Sequence, residues 1–118
     1  MKKILLIDND IFFGKMCANS FVNNKIDVVF ARNIDGGIEK YGIEKDIKLI
    51  IIDSSLINDR MSKFIEEKEK GNIEIFILNS GIEFSKEEAD KMGIKNFLEK
   101  SLVTTNKLTE LIKEQLNL

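Results

Sequence analysis

Four strand-length apolar runs end on polar residues that could act together. Ile4 to Ile7 leads into Asp8-Asn9-Asp10, Leu49 to Ile52 into Asp53-Ser54-Ser55, and Ile75 to Leu78 into Asn79-Ser80-Gly81, while Phe97-Leu98-Glu99 leads into Lys100. Two carboxylates held ~6 Å apart repel by about 3 kcal/mol at an effective dielectric of roughly 20. Asp8 and Asp53 on neighbouring strand ends therefore call for a cation. Magnesium prefers oxygen ligands, keeps several waters and is commonly held by one or two carboxylates, which suits Asp8, Asn9 and Asp53. Lys100 supplies a second positive charge. Such a set could hold a phosphoryl group, neutralise its oxygens and leave a carboxylate to attack phosphorus.

The composition narrows the chemistry further. The chain has no histidine and a single cysteine, Cys17, so no imidazole base, no Ser-His or Cys-His pair, no internal disulfide and no ordinary zinc site can come from it. Cys17 is most simply a core residue. A net charge of -2 with 18 dispersed basic residues gives no basic stripe, which argues against nucleic-acid binding by this segment. Nothing in the sequence is long and apolar enough to span a bilayer, and Met1-Lys2-Lys3 runs straight into the first apolar stretch without the pattern of a signal peptide. A cytoplasmic protein is expected, with no membrane association.

The elements that must position these residues follow from hydrophobic period. Runs at about residues 3 to 8, 26 to 31, 48 to 53, 73 to 78 and 95 to 98 alternate with helical-period segments, the pattern of a parallel sheet covered by helices on both faces. Leu-Ile-Ile-Ile before Asp53 is apolar on both faces and belongs near the sheet centre. Asp10 and Asn33 are suited to cap helices, and Ser85 with Glu88 forms a capping-box pattern. Gly42, Gly71 and Gly93 each read as closing a helix. Met61, Phe64, Ile65 and Lys68 keep helical spacing, as do Leu108, Leu111 and Ile112, and these stripes are core-facing. At 118 residues the chain has room for one domain, spanning 1–118. In open parallel sheets ligands bind beyond the carboxyl ends of the strands, where the polar residues named above collect.

Lys-Ile-Leu-Leu-Ile-Asp8-Asn9-Asp10, Leu-Ile-Ile-Ile-Asp53 and Ala89-Asp-Lys-Met-Gly93-Ile-Lys-Asn-Phe97-Leu-Glu-Lys100 stand in an order and spacing that resembles the response-regulator receiver domain of two-component signalling, CheY-like, over the whole chain. The resemblance implies a flavodoxin-like, doubly wound five-stranded parallel sheet of order 2-1-3-4-5 with five helices. It implies that Asp53 accepts a phosphoryl group from a partner phosphohistidine. Asp8, Asp53 and the Ser55 carbonyl would bind Mg2+, with Asn9 standing where a second metal-binding aspartate is usual. Lys100 would pair with the phosphate, Asn79 holds the position of the switch hydroxyl, and Phe97 that of the switch aromatic. Ser80 could take the hydroxyl's part if the strand register differed by one. The implied partners are a sensor histidine kinase or phosphotransfer protein and a downstream target or attached effector domain, with homodimerisation left open.

Two other readings compete. Asn9, Asn79 and Ser101, which stands where a proline is usual, suit a pseudo-receiver that signals without phosphate. Asp8-Asn9-Asp10 also matches the Asp-x-Asp of haloacid-dehalogenase-like phosphatases, but the 18 residues after Lys100 read as one helix and leave no place for those enzymes' later acidic pair.

Overall fold

The computed structural model describes residues 2–118. Five strands, β1 Lys3–Ile7, β2 Asp27–Ala31, β3 Ile47–Asp53, β4 Glu74–Asn79 and β5 Asn96–Glu99, form one parallel sheet in the order β2-β1-β3-β4-β5. Each strand boundary falls within one residue of the run read from the sequence. Helices α1 Ile11–Asn23, α2 Ile34–Ile43, α3 Ser62–Glu69, α4 Lys86–Lys91 and α5 Thr105–Leu116 complete the expected doubly wound, flavodoxin-like arrangement.

Side-chain alternation along the strands splits the interior in two. Leu5, Ile7, Ile50, Ile52, Ile75 and Ile77 face α2, α3 and α4, where they meet Ile34, Phe64 and Ala89. Ile4, Leu6, Leu49, Ile51, Phe76 and Leu78 face α1 and α5, meeting Phe13, Cys17, Phe21, Leu108 and Ile112. β3 lies at the centre and is buried on both faces, as its unbroken apolar run requires. Cys17 is fully buried in this second cluster, and burial pushes its thiol up to about 12, with the Asp8 charge adding to the effect. It is a packing residue rather than a nucleophile.

The caps at Asp10 and Asn33 and the Ser85–Glu88 capping box are all present. Gly71 and Gly93 take φ of 79° and 73°, the left-handed values that a helix end favours in glycine. The expectation for Gly42 does not hold: it lies inside α2, which continues to Ile43 and leaves through Glu44 in extended backbone. With that exit no left-handed residue is needed at the helix end, and the turn falls instead on Asp46, φ 68°.

The tightest helix-to-sheet approach is at Gly37, where a Cβ would lie 2.4 Å from Ile7 Cδ1 and 3.5 Å from the Phe64 ring. Ile7 and Phe64 are fully buried and have little room to yield. Gly37→Ala gains about 1 kcal/mol of helix propensity but overpacks the core by roughly 2 kcal/mol. The net expectation is a loss of about 1 kcal/mol and a melting temperature lower by roughly 4 °C, readable by thermal unfolding.

Candidate functional site

The strand order reverses between β1 and β3, and Asp8 and Asp53 stand at the carboxyl ends of those two strands. Asp8 follows β1, where its N–H continues the ladder to the Ala31 carbonyl at 3.0 Å. Its Oδ1 accepts from the Asp10 N–H at 2.9 Å in an Asx turn that feeds α1. Asp10 itself faces solvent, and its carboxylate caps α1 by accepting from the Phe13 N–H at 3.1 Å. Asp53 closes β3 and opens a short 3-10 turn, Ser54–Leu56.

Lys100 ties the two carboxylates together. Its backbone N–H reaches the Asn79 carbonyl at 3.0 Å, which extends the β4–β5 ladder and aims the side chain back across the strand ends. The ammonium lies 2.8 Å from Asp8 Oδ2 and 2.8 Å from Asp53 Oδ2, and 4.7 Å from the centre of the Phe13 ring. Side-chain exposure is 16% for Lys100, 2% for Asp8 and 3% for Asp53, so this triad is largely withdrawn from water. Stacking on Phe13 lets an aromatic face stand in for part of the lost hydration.

The two carboxylates differ in their partners. Asp53 Oδ1 accepts from the Ser55 N–H at 2.9 Å, the Ser55 hydroxyl at 2.7 Å and the Ser80 hydroxyl at 2.5 Å, while Oδ2 accepts from Lys100. Burial alone would push this carboxyl up, but the hydrogen bonds from Lys100, Ser80 and Ser55 together hold it below the usual carboxylate range. Asp8 moves the other way: burial outweighs Lys100 and the Asp10 N–H and raises its carboxyl. Burial likewise opposes the charge on Lys100, and its bonds to Asp53 and Asp8 overcome that and raise it. Asp53 is thus the carboxylate held ready as an anion.

Asp8 Oδ2 is buried and receives no hydrogen bond: the Lys100 ammonium lies 2.8 Å from it as an ion-pair partner but donates to Oδ1 at 3.1 Å. An acceptor left in this state, beside a second carboxylate and in a pocket whose formal charges sum to one negative, suits a hard divalent cation that keeps most of its water. Among the described residues no group of three or more acidic, Cys or His side chains is placed to hold a metal, so the protein would supply few ligands. Asn9 is exposed beyond β1 and Ser55 is exposed beyond β3.

Since Asp8 is buried in a setting that favours its neutral form, its ionised form costs stability at neutral pH. The folded value lies above the unfolded one, so the folded state holds more protons and stability falls as pH rises through that window. Asp8→Asn, which can still accept from the Asp10 N–H, is expected to raise the melting temperature at pH 7 in EDTA by roughly a few degrees. The gain should shrink as the pH falls and Asp8 takes up its proton; equal melting temperatures at pH 7 would refute the assigned cost.

The sequence-derived residues do not all converge. Asp8, Asp53, Ser55 and Lys100 come together. Asn79 turns away from Asp53: its Oδ1 accepts from the Ser54 hydroxyl at 3.1 Å and its Nδ2 donates to both Glu99 oxygens at 2.9 and 3.1 Å. Ser80 bonds Asp53 without any shift of register, since Asp53 pairs with Leu78 and Ser80 is the first residue beyond β4, folding over the strand end. Phe97 is half-buried and packs on Phe84, ring centres 6.3 Å apart. The sequence reading missed the parts played by Phe13, Phe84, Ser54 and Glu99. Phe13 could have been found, because Phe13, Cys17 and Phe21 repeat every fourth residue and place its ring on the inner face of α1. A cleft of about 540 Å3 opens above Lys100, between Asp10 and Phe13 on one side and Asn79 to Ile82 on the other.

No protein-family model matches the sequence, and no curated protein matches it. Solved structures do. A response-regulator receiver domain from Clostridium thermocellum aligns with a TM-score of 0.81 at 21% identity, covering 99% of this chain and 95% of that one. A CheY-like receiver domain from Methanospirillum hungatei aligns at 0.78 and 22% identity, covering 99% and 94%. An orphan response regulator of H. pylori aligns at 0.81 and 15% identity, covering 98% and 96%. The fold along the chain is that of response-regulator receiver domains.

Proposed function

We propose that this domain is a phospho-accepting receiver, in which Asp53 takes a phosphoryl group from the phosphohistidine of a sensor kinase or phosphotransfer protein. The observation that carries the reading is the setting of Asp53: Lys100 lies 2.8 Å from its Oδ2 while Ser55 and Ser80 donate to its Oδ1, bonds that hold its carboxyl low where burial raises that of Asp8. Three donors saturate Asp53 Oδ1, whereas Oδ2 has Lys100 alone and keeps lone-pair density for attack. In the transfer the histidine N–P bond breaks as the Asp53 O–P bond forms, and the donor imidazole leaves with the electron pair. Lys100 and the Ser80 hydroxyl then offer donors to the phosphoryl oxygens, which carry more charge than the carboxylate they replace. A magnesium ion, when bound through Asp8, Asp53, Asn9 and the Ser55 carbonyl, would supply charge neutralisation across the phosphoryl oxygens. Asn79 and Phe97 are assigned to relaying the change toward β4 and β5, the surface read by a target protein or an attached effector domain. We place this exchange in the cytoplasm; no helix among the described residues is long and apolar enough to cross a membrane.

The test is incubation with magnesium and phosphoramidate followed by intact mass, with Asp53→Ala as control. A phosphoryl adduct on the wild type that the variant lacks supports the proposal, and its absence from both overturns it.

A second reading is favoured by one observation: Lys100 bridges both carboxylates, so half of the pocket's negative charge is neutralised without a metal ion. On that reading the domain is a pseudo-receiver. Magnesium titration separates the two, since millimolar binding lost in Asp53→Asn counts against the pseudo-receiver. The phosphatase reading loses its acid/base residue, because Asp10 is committed to capping α1.

A further inference from the structure

Beyond the phosphoacceptor Ser80, Ser54 and Asn79 form a hydrogen-bonded chain, with the Ser80 backbone N–H as one link, whose direction is fixed at every link. The Ser80 hydroxyl has one proton and gives it to Asp53 Oδ1. The Ser80 backbone N–H donates to Ser54 Oγ at 3.0 Å, and Ser54 gives its own proton to Asn79 Oδ1 at 3.1 Å. Asn79 can then only turn its NH2 toward Glu99, and a carboxylate, which accepts and cannot donate, requires that orientation. No link can run backwards. Ser54 is buried, whereas Glu99 is exposed on the edge strand β5, so the chain runs from the interior of the site to the surface.

We propose that Ser80, Ser54 and Asn79 are a one-way relay that latches the Glu99 carboxylate while Asp53 is free and releases it when Asp53 is phosphorylated. The inference rests on the phospho-acceptor reading and adds a route by which that site controls the sheet edge. Adding a phosphoryl group moves the acceptor oxygens outward and increases their charge, so the Ser80 hydroxyl and its N–H re-aim toward them. Ser54 then loses the donor that fixes its hydroxyl, its bond to Asn79 loosens, and the amide no longer holds both Glu99 oxygens. The Ser54 hydroxyl both accepts from the Ser80 N–H and donates to Asn79, so losing the first of these bonds weakens the second. Glu99 becomes a mobile anion beside the target-reading surface. Ser54 and Asn79 are positioning residues and do not take part in the transfer itself.

The experiment follows the Asn79 side-chain amide resonances in 15N-labelled wild type and Glu99→Ala, each before and after treatment with phosphoramidate and magnesium, with intact mass confirming the adduct. Glu99 is exposed, so its removal leaves the core untouched. The Asn79 resonances should differ between the two proteins before treatment and coincide after it. An unchanged difference in phosphorylated protein overturns the relay and leaves the receiver reading standing; failure to acquire the phosphoryl group overturns both. Coincidence before treatment overturns the latch directly.

Discussion

Lys100→Met will lower stability at pH 7 by about 3 kcal/mol in the absence of magnesium, because it leaves two buried carboxylates without their shared counter-ion. Methionine keeps the apolar stem against Phe13, so the loss reports charge rather than packing. The sign of the pH dependence is fixed. Without Lys100 both carboxyls titrate higher in the folded state, the folded variant holds more protons than its unfolded chain, and its deficit relative to wild type shrinks as pH falls. Asp8 gives way first, since burial already raises it. Urea denaturation at pH 7 and pH 5 measures this, and a variant within about 1 kcal/mol of wild type at pH 7 would mean that Lys100 does not hold the pocket together. The same substitution should slow phosphorylation of Asp53 by roughly 100-fold, the usual cost of one preorganised donor at developing negative charge.

The second large effect separates Ser80 from Asn79. Ser80 alone places a hydroxyl from the end of β4 on Asp53, whereas Asn79 is committed to Ser54 and Glu99. Ser80→Ala should therefore reduce the rate of phosphorylation by a small-molecule donor by roughly 10 to 100-fold. Asn79→Ala should react at close to the wild-type rate. Time courses of adduct formation decide between them, and the opposite order would assign the hydroxyl's part to Asn79 after all. Ser80→Ala should also weaken the hold on Asp53 as an anion, because the Ser80 bond is one of those keeping its carboxyl low.

The fold was legible because burial wrote it into the pattern. β3 lies between β1 and β4 and carries apolar residues on both faces, so its central place could be read from Leu49 to Ile52 alone. Asp10, Asn33 and Ser85 marked helix starts because a cap is a local event, a side chain reaching an N–H three residues on. Gly42 misled because glycine permits a left-handed turn without requiring one, and the exit of α2 is extended. The site was legible as a location, since Asp8, Asp53 and Lys100 end or follow strands whose order is fixed by the sheet. Its finer wiring was not. Period and register say which residue ends β4, and they gave Asn79; how the next residue folds over the strand end is decided in three dimensions, and it brings Ser80 to Asp53. The bonds from Ser54 to Asn79 and from Asn79 to Glu99 span 25 and 20 residues, and no local pattern announces them. Phe84 lies in the loop before α4, outside any period, yet it is buried against Phe97.

The central claim is that Asp53 is a nucleophile toward phosphorus, and intact mass after exposure to phosphoramidate and magnesium tests it most directly. Wild type should gain one phosphoryl group, lose it again when hydroxylamine is added, as an acyl phosphate must, and show no gain at all as Asp53→Asn. A wild type that stays unmodified, or an Asp53→Asn protein that is modified equally, would contradict it.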